Sequence, residues 1–263
     1  MNYIVWDVDR MIWHIYGPFG IRWYSLMFLA GFLFSLWGFN KMLIREGKDP
    51  KYSDSLLTYI VFGTIIGARL GHCLFYQPEH YFSNPLEILK VWEGGLASHG
   101  GTLGIFIAVL LFSRKHKEFP LLWLADRVAI FVIICGGLVR IGNLFNSEII
   151  GRVTTVPWAF IFAKVDNLPR HPTQIYEALG YISLGALVYL FYLKNYKSKE
   201  HGRLFGLTIM LGFLFRALIE PLKINQVAFE DSMWLNMGQI LSLPYIIVGL
   251  FFALGWHRRF CKG

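Results

Sequence analysis

The chain has 263 residues, of which 55% are hydrophobic and only 16% are charged, and its mean hydropathy is +0.47. Soluble domains carry charge on about a quarter of their residues, so this composition excludes an ordinary soluble globular protein. The net charge of +8 does not indicate nucleic acid as a partner, because the basic residues stand in short connections between apolar runs. Such a placement is typical of the signals that orient a membrane protein.

The apolar segments are long enough to cross a bilayer and predict an all-α, polytopic membrane helix bundle. We predict about seven spans, at residues 22–44, 55–76, 97–113, 121–140, 174–193, 204–221 and 236–256. The segment before the first span lacks the basic start of a signal peptide and predicts a short extracytoplasmic lead. The connection 141–173 is too long for a simple turn and predicts a small lobe, within a single membrane domain over 1–263.

The distribution of lysine and arginine between the connections predicts the orientation of the chain. One set of connections carries most of them: Arg45, Lys48, Lys51, Arg114, Lys115, Lys117, Lys194, Lys197, Lys199, Arg203, Arg258, Arg259 and Lys262. The opposite set carries Arg10, Lys90, Arg152, Lys164, Arg170 and Lys223. Because connections rich in these residues stay in the cytoplasm, we predict a periplasmic N-terminus, a cytoplasmic C-terminus and a periplasmic lobe.

Polar and ionisable side chains inside the spans gather in one half of the predicted membrane. At about 1.5 Å per residue, Arg216 lies about 18 Å and Arg69 about 21 Å from the cytoplasmic side of a core of about 30 Å. Arg140 ends the fourth span, and Tyr24 and His99 begin the first and third, all near the outer boundary. A buried charge costs about 2.5–3.5 kcal/mol on insertion scales, so it marks function or an internal ion pair. The shared side favours a functional site.

Structural explanations stay open for the individual residues. Glu220 follows Arg216 by one helical turn and is placed to neutralise it. Arg69 has three candidate partners: Glu93, Glu148 and Glu177. Arg140 could extend its side chain outward to the interface. The glycines of GGLASHGG around His99 fit either a polar pocket or a close helix-packing surface.

The cysteines and histidines predict neither a disulfide nor a metal site. Cys73, Cys135 and Cys261 show no paired spacing, so no disulfide is predicted. Histidine, cysteine and carboxylate residues nowhere have the spacing of a metal site, so we expect no metal.

Several motifs follow one another along the chain. They are IRWYSLM around Tyr24, GGLASHGG around His99, GLVRIGNLFNSEIIG from Gly137 to Gly151, RHPTQIYEA before the fifth span, and MGQILSLPYIIVG in the last span. In this order they resemble the prolipoprotein diacylglyceryl transferase family over nearly the whole chain. The family signature has the form GRxGNFxNxExxG, and its positions are occupied here by Arg140, Gly142, Asn143, Asn146, Glu148 and Gly151.

The chain departs from the family pattern at three places. Gly137 is separated from Arg140 by two residues, where the family usually has glycine directly before the arginine. In the sixth span the family usually has a tyrosine four residues before its arginine, and this chain has Gly212. The segment after Glu220 reads PLKINQ in place of the usual basic and polar continuation. The last two departures concern the surroundings of Arg216.

The resemblance implies an enzyme that transfers the diacylglyceryl group of phosphatidylglycerol to the lipobox cysteine thiol of a prolipoprotein signal peptide and releases glycerol phosphate. It implies a multi-pass protein of the bacterial inner membrane, with its active site toward the periplasmic half. Its partners would be phosphatidylglycerol and other membrane lipid, and the prolipoprotein. It implies no metal or organic cofactor.

The resemblance also assigns roles to individual residues. Arg140 and Arg216 are expected to bind the lipid phosphate and to stabilise the charge that grows on it. The thiol must become a thiolate, for which His99 is the candidate base; deprotonation assisted by the two arginines alone is the alternative. Substrate binding is expected of Tyr24, Arg69, Arg140, Asn143, Asn146, Glu148, Gly151 and Glu220.

Two other classes of protein fit parts of the pattern less well. Buried arginines also suit a transporter or flippase for an anion, but such proteins usually show internal repeats and access from both faces. An acyltransferase with Cys73 as nucleophile would need a nearby base. His72 is adjacent in sequence and therefore points about 100° away on the helix.

Overall fold

The computed structural model describes residues 3–16, 19–91, 94–224 and 233–257. Helices make up most of these ranges, which confirms the predicted all-α class. They are α1 (Trp23–Arg45), α2 (Lys51–Phe75), α3 (Pro78–Ser83), α4 (Ser98–Lys115), α5 (Leu121–Asn146), α6 (Thr173–Asn195), α7 (Arg203–Ile219) and α8 (Met237–Ala253). Short 3-10 helices lie at Pro85–Leu89 and Glu220–Leu222.

Each predicted apolar segment coincides with one of these helices. Five helices are long and apolar enough to cross a membrane, namely α1, α2, α5, α6 and α7 with its 3-10 extension; α8 is apolar but has 17 residues. Large apolar side chains such as Leu33, Phe62 and Leu218 are exposed on their surfaces, as expected of faces in contact with lipid. The number of spans and their orientation stay predictions.

Helix α5 is longer than the sequence predicted. It continues from residue 140 to Asn146, so the first six residues of the predicted lobe are helical. The extension is stabilised by Leu144, which is buried in a small apolar cluster with Phe160 and Phe162. Arg140, the predicted end of the span, therefore lies within the helix, two turns before its last residue.

The lobe contains a small sheet that includes the N-terminal lead. Strand β1 (Ile4–Trp6) pairs in parallel with β4 (Phe160–Phe162), and β4 pairs antiparallel with β5 (Pro169–Arg170). The indole of Trp6 donates a hydrogen bond to the Leu144 carbonyl at 3.0 Å, which fastens the lead to the end of α5. A separate hairpin, β2 (Met11–Tyr16) with β3 (Phe19–Arg22), leads into α1.

The chain divides into two compact units. The first unit is Met1–Ser35 with Asp126–Gly263, and the second unit is Leu36–Ala125. In the second unit α2 and α4 approach closely through facing glycines; a Cβ added to Gly104 would lie 2.7 Å from the Gly63 carbonyl carbon. In the first unit, α7 and α8 approach in the same way at Gly206 and Gly249. The single domain over 1–263 stays a prediction.

Candidate active site

The signature segment forms a sharp turn at the end of α5. Ser147 and Ile149 both adopt a φ of +55°, which is rare for any residue with a side chain and costly for a β-branched one. Two side chains from the first turn of α6 hold this backbone. The Thr173 hydroxyl donates to the Ile149 carbonyl at 2.9 Å, and the Gln174 amide donates to the Glu148 carbonyl at 2.6 Å. The turn is therefore held in place by the start of α6.

Four of the predicted site residues meet at this turn. Arg140 Nη1 lies 3.4 Å from Asn143 Oδ1, and Asn143 Nδ2 donates to Glu148 Oε2 at 3.2 Å. Asn146 Nδ2 donates to the other carboxylate oxygen, Glu148 Oε1, at 3.3 Å. The exposed Glu148 carboxylate is thus held by two amides, and one of these amides also faces Arg140.

The two predicted catalytic arginines belong to one ion network. Arg140 Nε lies 3.2 Å from Glu177 Oε2, without the alignment of a hydrogen bond. Lys223 Nζ lies 2.9 Å from Glu177 Oε1 and 3.1 Å from Glu220 Oε2, and donates a hydrogen bond to each. Arg216 Nη2 lies 3.8 Å from the same Glu220 oxygen. We call these five residues the ion network.

Burial makes the ion network a strong electrostatic feature. The side chains of Glu177, Glu220 and Lys223 are less than a tenth exposed, so each must be paired to be tolerated there. The arginines are more accessible, because the Arg140 side chain is 16% exposed and the Arg216 side chain 30% exposed. Guanidinium groups that stay partly accessible while they lie beside buried carboxylates can bind an anion.

A phenol lies beside the ion network. The Tyr181 hydroxyl of α6 lies 3.4 Å from Glu177 Oε1, and its ring packs edge-on against Phe215 of α7. The family's usual tyrosine position is Gly212 here, where an added Cβ would lie 3.0 Å from Ile133 Cδ1. The phenol of this neighbourhood therefore comes from α6 in this chain.

Tyr24 and Gly151 lie beside this arrangement. Tyr24 packs against Gly142, where an added Cβ would lie 2.8 Å from its ring. Gly151 accepts the close approach of His171, whose carbonyl takes a hydrogen bond from the Gly151 amide at 3.1 Å. A side chain at 151 would collide with His171, so packing alone explains this glycine.

Arg69 lies in the second unit and is committed to backbone oxygens. Its Nε donates to Ile88 O at 2.9 Å, its Nη2 to Glu87 O at 2.5 Å, and its Nη1 to Gly94 O at 2.6 Å and Gly95 O at 3.3 Å. Its guanidinium also lies 4.9 Å from the Tyr81 ring. Four of its five N–H groups are engaged, so these bonds alone account for its burial, and its role in substrate binding stays a prediction.

His99 also lies in the second unit, where it is exposed in the first turn of α4. The glycine after it faces α2, since a Cβ at Gly100 would lie 2.9 Å from Gly71 Cα, and Gly94 and Gly95 have positive φ. The GGLASHGG segment thus contains both a turn and a helix-packing surface. Cys73 is buried on α2, whereas Glu93 and Cys261 lie outside the described residues.

Charged groups of the lobe hold its loop together. Arg170 binds Asp166 through its Nε at 3.0 Å and through a shorter contact from its Nη2, and this guanidinium lowers the pKa of Asp166 below its ordinary value. Burial lowers the pKa of His171. The His171 ring lies 3.2 Å from the Tyr176 hydroxyl, which also accepts a hydrogen bond from the exposed Trp158.

Within the described ranges no cluster of metal-binding side chains is present.

The sequence did not single out every member of the site. The sequence predicts Lys223 only as a residue of a connection on the side opposite the cytoplasmic set, and the structure buries it between two carboxylates. The sequence predicts Glu177 only as a candidate partner of Arg69, and it does not predict Thr173, Gln174 or Tyr181 as site residues. The motif RHPTQIYEA contained part of the missing signal, because it supplies Thr173, Gln174 and Glu177 together.

Comparison with known proteins gives a consistent result. The sequence profile of the family "Prolipoprotein diacylglyceryl transferase" matches residues 10–255. Proteins named phosphatidylglycerol–prolipoprotein diacylglyceryl transferase are similar over most of their length. The one from Tolumonas auensis is 43% identical, covering 95% of this chain and 96% of the relative. The one from Chloroherpeton thalassium is 45% identical, with 95% and 92% covered, and that from Bacteroides fragilis is 43% identical, with 97% and 96% covered.

The match includes the signature turn of α5, the first turn of α6 and the ion network that joins α5, α6 and α7. It runs through apolar helices that are long enough to cross a membrane, as expected of an enzyme that acts on lipid. This chain belongs to the prolipoprotein diacylglyceryl transferase family.

Proposed function

We propose that this multi-pass bacterial membrane protein transfers the diacylglyceryl group of phosphatidylglycerol to a cysteine thiol of a prolipoprotein, and that the ion network binds the lipid phosphate during the transfer. Family membership and the names of the relatives support the reaction and both substrates. The assignment of the phosphate-binding site rests on one observation. Arg140 is connected to Arg216 through Glu177, Lys223 and Glu220.

The proposed chemistry is a substitution at carbon. The cysteine thiolate attacks the glycerol carbon that bears the phosphate, a carbon–sulfur bond forms, and the carbon–oxygen bond to the phosphate breaks. The bonding electrons leave with the oxygen, so the second product is glycerol phosphate with one more negative charge on its phosphate. Arg140 and Arg216 stabilise that charge, because guanidinium groups match phosphate oxygens in charge and geometry.

The thiol must lose its proton before it attacks. His99 is the proposed base, and its exposed position in the first turn of α4 leaves its ring accessible to a substrate. The alternative is a thiol whose pKa is lowered by the nearby arginines, with the proton passing to water. A substitution of His99 that keeps full activity at neutral pH would favour the alternative.

The remaining residues are proposed to orient the lipid. Asn143, Asn146 and Glu148 present a fixed set of amide and carboxylate groups beside Arg140, which suits the hydroxyls of the glycerol headgroup. Tyr24 adds a hydroxyl on the same side. Gly151 supports this site by close packing, and Glu220 by its position next to Arg216.

The location of the reaction follows from the predicted orientation. The charge distribution of the connections supports an orientation in the inner membrane in which the lobe, and the ends of α5 and α7 that carry the arginines, face the periplasm. A prolipoprotein held by its signal peptide would then present its lipobox cysteine at the depth of the lipid phosphate.

The direct test is a transfer assay with purified protein in detergent micelles. The assay contains phosphatidylglycerol and a peptide with a lipobox cysteine, and product is measured as peptide that carries a thioether-linked diacylglyceryl group. We expect product with phosphatidylglycerol and none with zwitterionic phosphatidylethanolamine. Arg140→Ala should lower kcat by about 100-fold or more, because it removes a charge-assisted contact to the leaving group.

The matched control is Arg114→Ala, which removes an exposed arginine from the last turn of α4 and should leave the rate unchanged. Both variants must elute as a single species in detergent. Full activity of Arg140→Ala would remove the proposed role of this residue, and absence of transfer by the unmodified protein would remove the proposed function.

A further inference from the structure

The position of Lys223 sets it apart from the other residues of the ion network. Its side chain is 4% exposed, and its Nζ donates to both buried carboxylates, at 2.9 Å to Glu177 and 3.1 Å to Glu220. Its backbone is fastened independently of its side chain, since Arg152 Nε donates to the Lys223 carbonyl at 2.9 Å. The lysine is therefore held at a fixed place between α6 and α7.

Lys223 and Arg216 face the same oxygen of Glu220. Lys223 Nζ is at hydrogen-bond distance from Glu220 Oε2, whereas Arg216 Nη2 lies 3.8 Å away, too far for a hydrogen bond. Arg216 lies one helical turn before Glu220, a spacing at which arginine and carboxylate can bind directly. The carboxylate cannot move aside, because it packs against Gly238, where an added Cβ would lie 2.7 Å from Glu220 Cγ.

We propose that Lys223 is a positioning residue that occupies the Glu220 carboxylate and thereby keeps the Arg216 guanidinium available for the lipid phosphate. This inference rests on the proposed function of the network. Without the lysine, Arg216 is the cation closest to Glu220 and closes onto it. An arginine bound to a carboxylate has fewer N–H groups left for a phosphate, and part of its charge is neutralised, so affinity for the anionic lipid falls.

The test is a double-mutant cycle on Lys223 and Glu220. Binding is measured with short-chain phosphatidylglycerol in the absence of peptide, and transfer is measured with both substrates. Lys223→Met should raise Kd and KM for phosphatidylglycerol about tenfold, with KM for the peptide unchanged. Adding Glu220→Gln to Lys223→Met should restore most of the lost affinity, because Arg216 then has no carboxylate to close onto. Lys223→Arg should remain within about threefold of the unmodified protein.

A purely structural role of Lys223 gives a different pattern. The double variant would then bind phosphatidylglycerol no better than Lys223→Met, or KM for the peptide would rise equally, and either result would overturn the proposal. If Lys223→Met does not yield folded protein, Lys223→Gln alone and with Glu220→Gln gives the same comparison. Measuring binding apart from transfer separates the proposed function from the proposed role of Lys223. A protein that binds phosphatidylglycerol without transferring its diacylglyceryl group would contradict the function, and the affinities of the variants would still test the role of Lys223.

Discussion

Arg140 and Arg216 are held differently, although both belong to the ion network. Arg140 faces Glu177 at 3.2 Å and the Asn143 amide at 3.4 Å, so its orientation is determined by two partners. Arg216 is more exposed and lies 3.8 Å from Glu220. Such a difference suits a site in which one guanidinium fixes the lipid headgroup and the other closes on the phosphate as charge develops.

Arg69 gives the clearest prediction for a single side chain. Arg69→Met removes hydrogen bonds to the carbonyls of Glu87, Ile88, Gly94 and Gly95. A hydrogen bond to a charged group contributes about 1.5–3 kcal/mol, and water replaces part of the lost contacts at these half-buried or exposed residues, so we expect the free energy of unfolding to fall by about 3 kcal/mol. Thermal unfolding in detergent measures the change.

Arg114→Met is the control for this substitution, because it removes an exposed arginine from the same unit. The folded fraction of Arg69→Met should keep a KM for phosphatidylglycerol within a few-fold of the unmodified value. An unchanged unfolding temperature together with a large rise in that KM would show that Arg69 binds substrate and does not stabilise the fold.

At the scale of elements, the pairing of α2 with α4 depends on glycine at defined positions. A Cβ at Gly104 would collide with the Gly63 carbonyl group and lie 3.2 Å from Gly67 Cα. A Cβ at Gly101, on the same helix, meets nothing closer than 3.6 Å. The two glycines therefore form a matched pair for a test of this interface.

Gly104→Ala should force the two helices apart and lower the free energy of unfolding by about 1–3 kcal/mol, as overpacking does. Gly101→Ala should leave stability unchanged or raise it by up to about 1 kcal/mol, because alanine is the better helix former. Thermal unfolding of both variants in the same detergent gives the comparison. Equal stability of the two would show that close contact does not determine this helix pair.

The elements differ in how far the sequence could predict them. Apolar runs located every long helix to within a few residues at most ends. They failed at the end of α5, because Asn143 and Asn146 interrupt the hydropathy that Leu144 continues. Strand β1 is three residues long and pairs with a distant segment, so no local pattern indicated it.

The candidate site shows the same limit. The signature predicted Arg140, Asn143, Asn146 and Glu148 as one group, and their side chains do lie together. The first three stand three residues apart on one face of α5, and Glu148 joins them from the turn that follows. The burial of Lys223 depends on carboxylates from α6 and from the end of α7, which meet only in the folded chain. Long-range ion pairs of this kind have no periodic signal in the sequence.

At the scale of the whole molecule, apolar helices surround a site whose proposed reaction takes place at the lipid headgroup. The apolar exterior keeps the protein among its lipid substrates, and the lobe is proposed to receive the peptide from the periplasm. The stabilised leaving group is a phosphate, so the chemistry requires that both fatty acyl chains and their glycerol stay together on the product.

The most direct measurement is the product balance in proteoliposomes that contain phosphatidylglycerol with defined acyl chains. After the lipobox peptide is added on the side of the lobe, mass spectrometry follows the peptide and a glycerol phosphate assay follows the released headgroup. We predict that each modified peptide gains one complete diacylglyceryl group on sulfur and that one glycerol phosphate is released. A peptide that carries a single acyl chain, retains the phosphate or gains no mass would contradict the account.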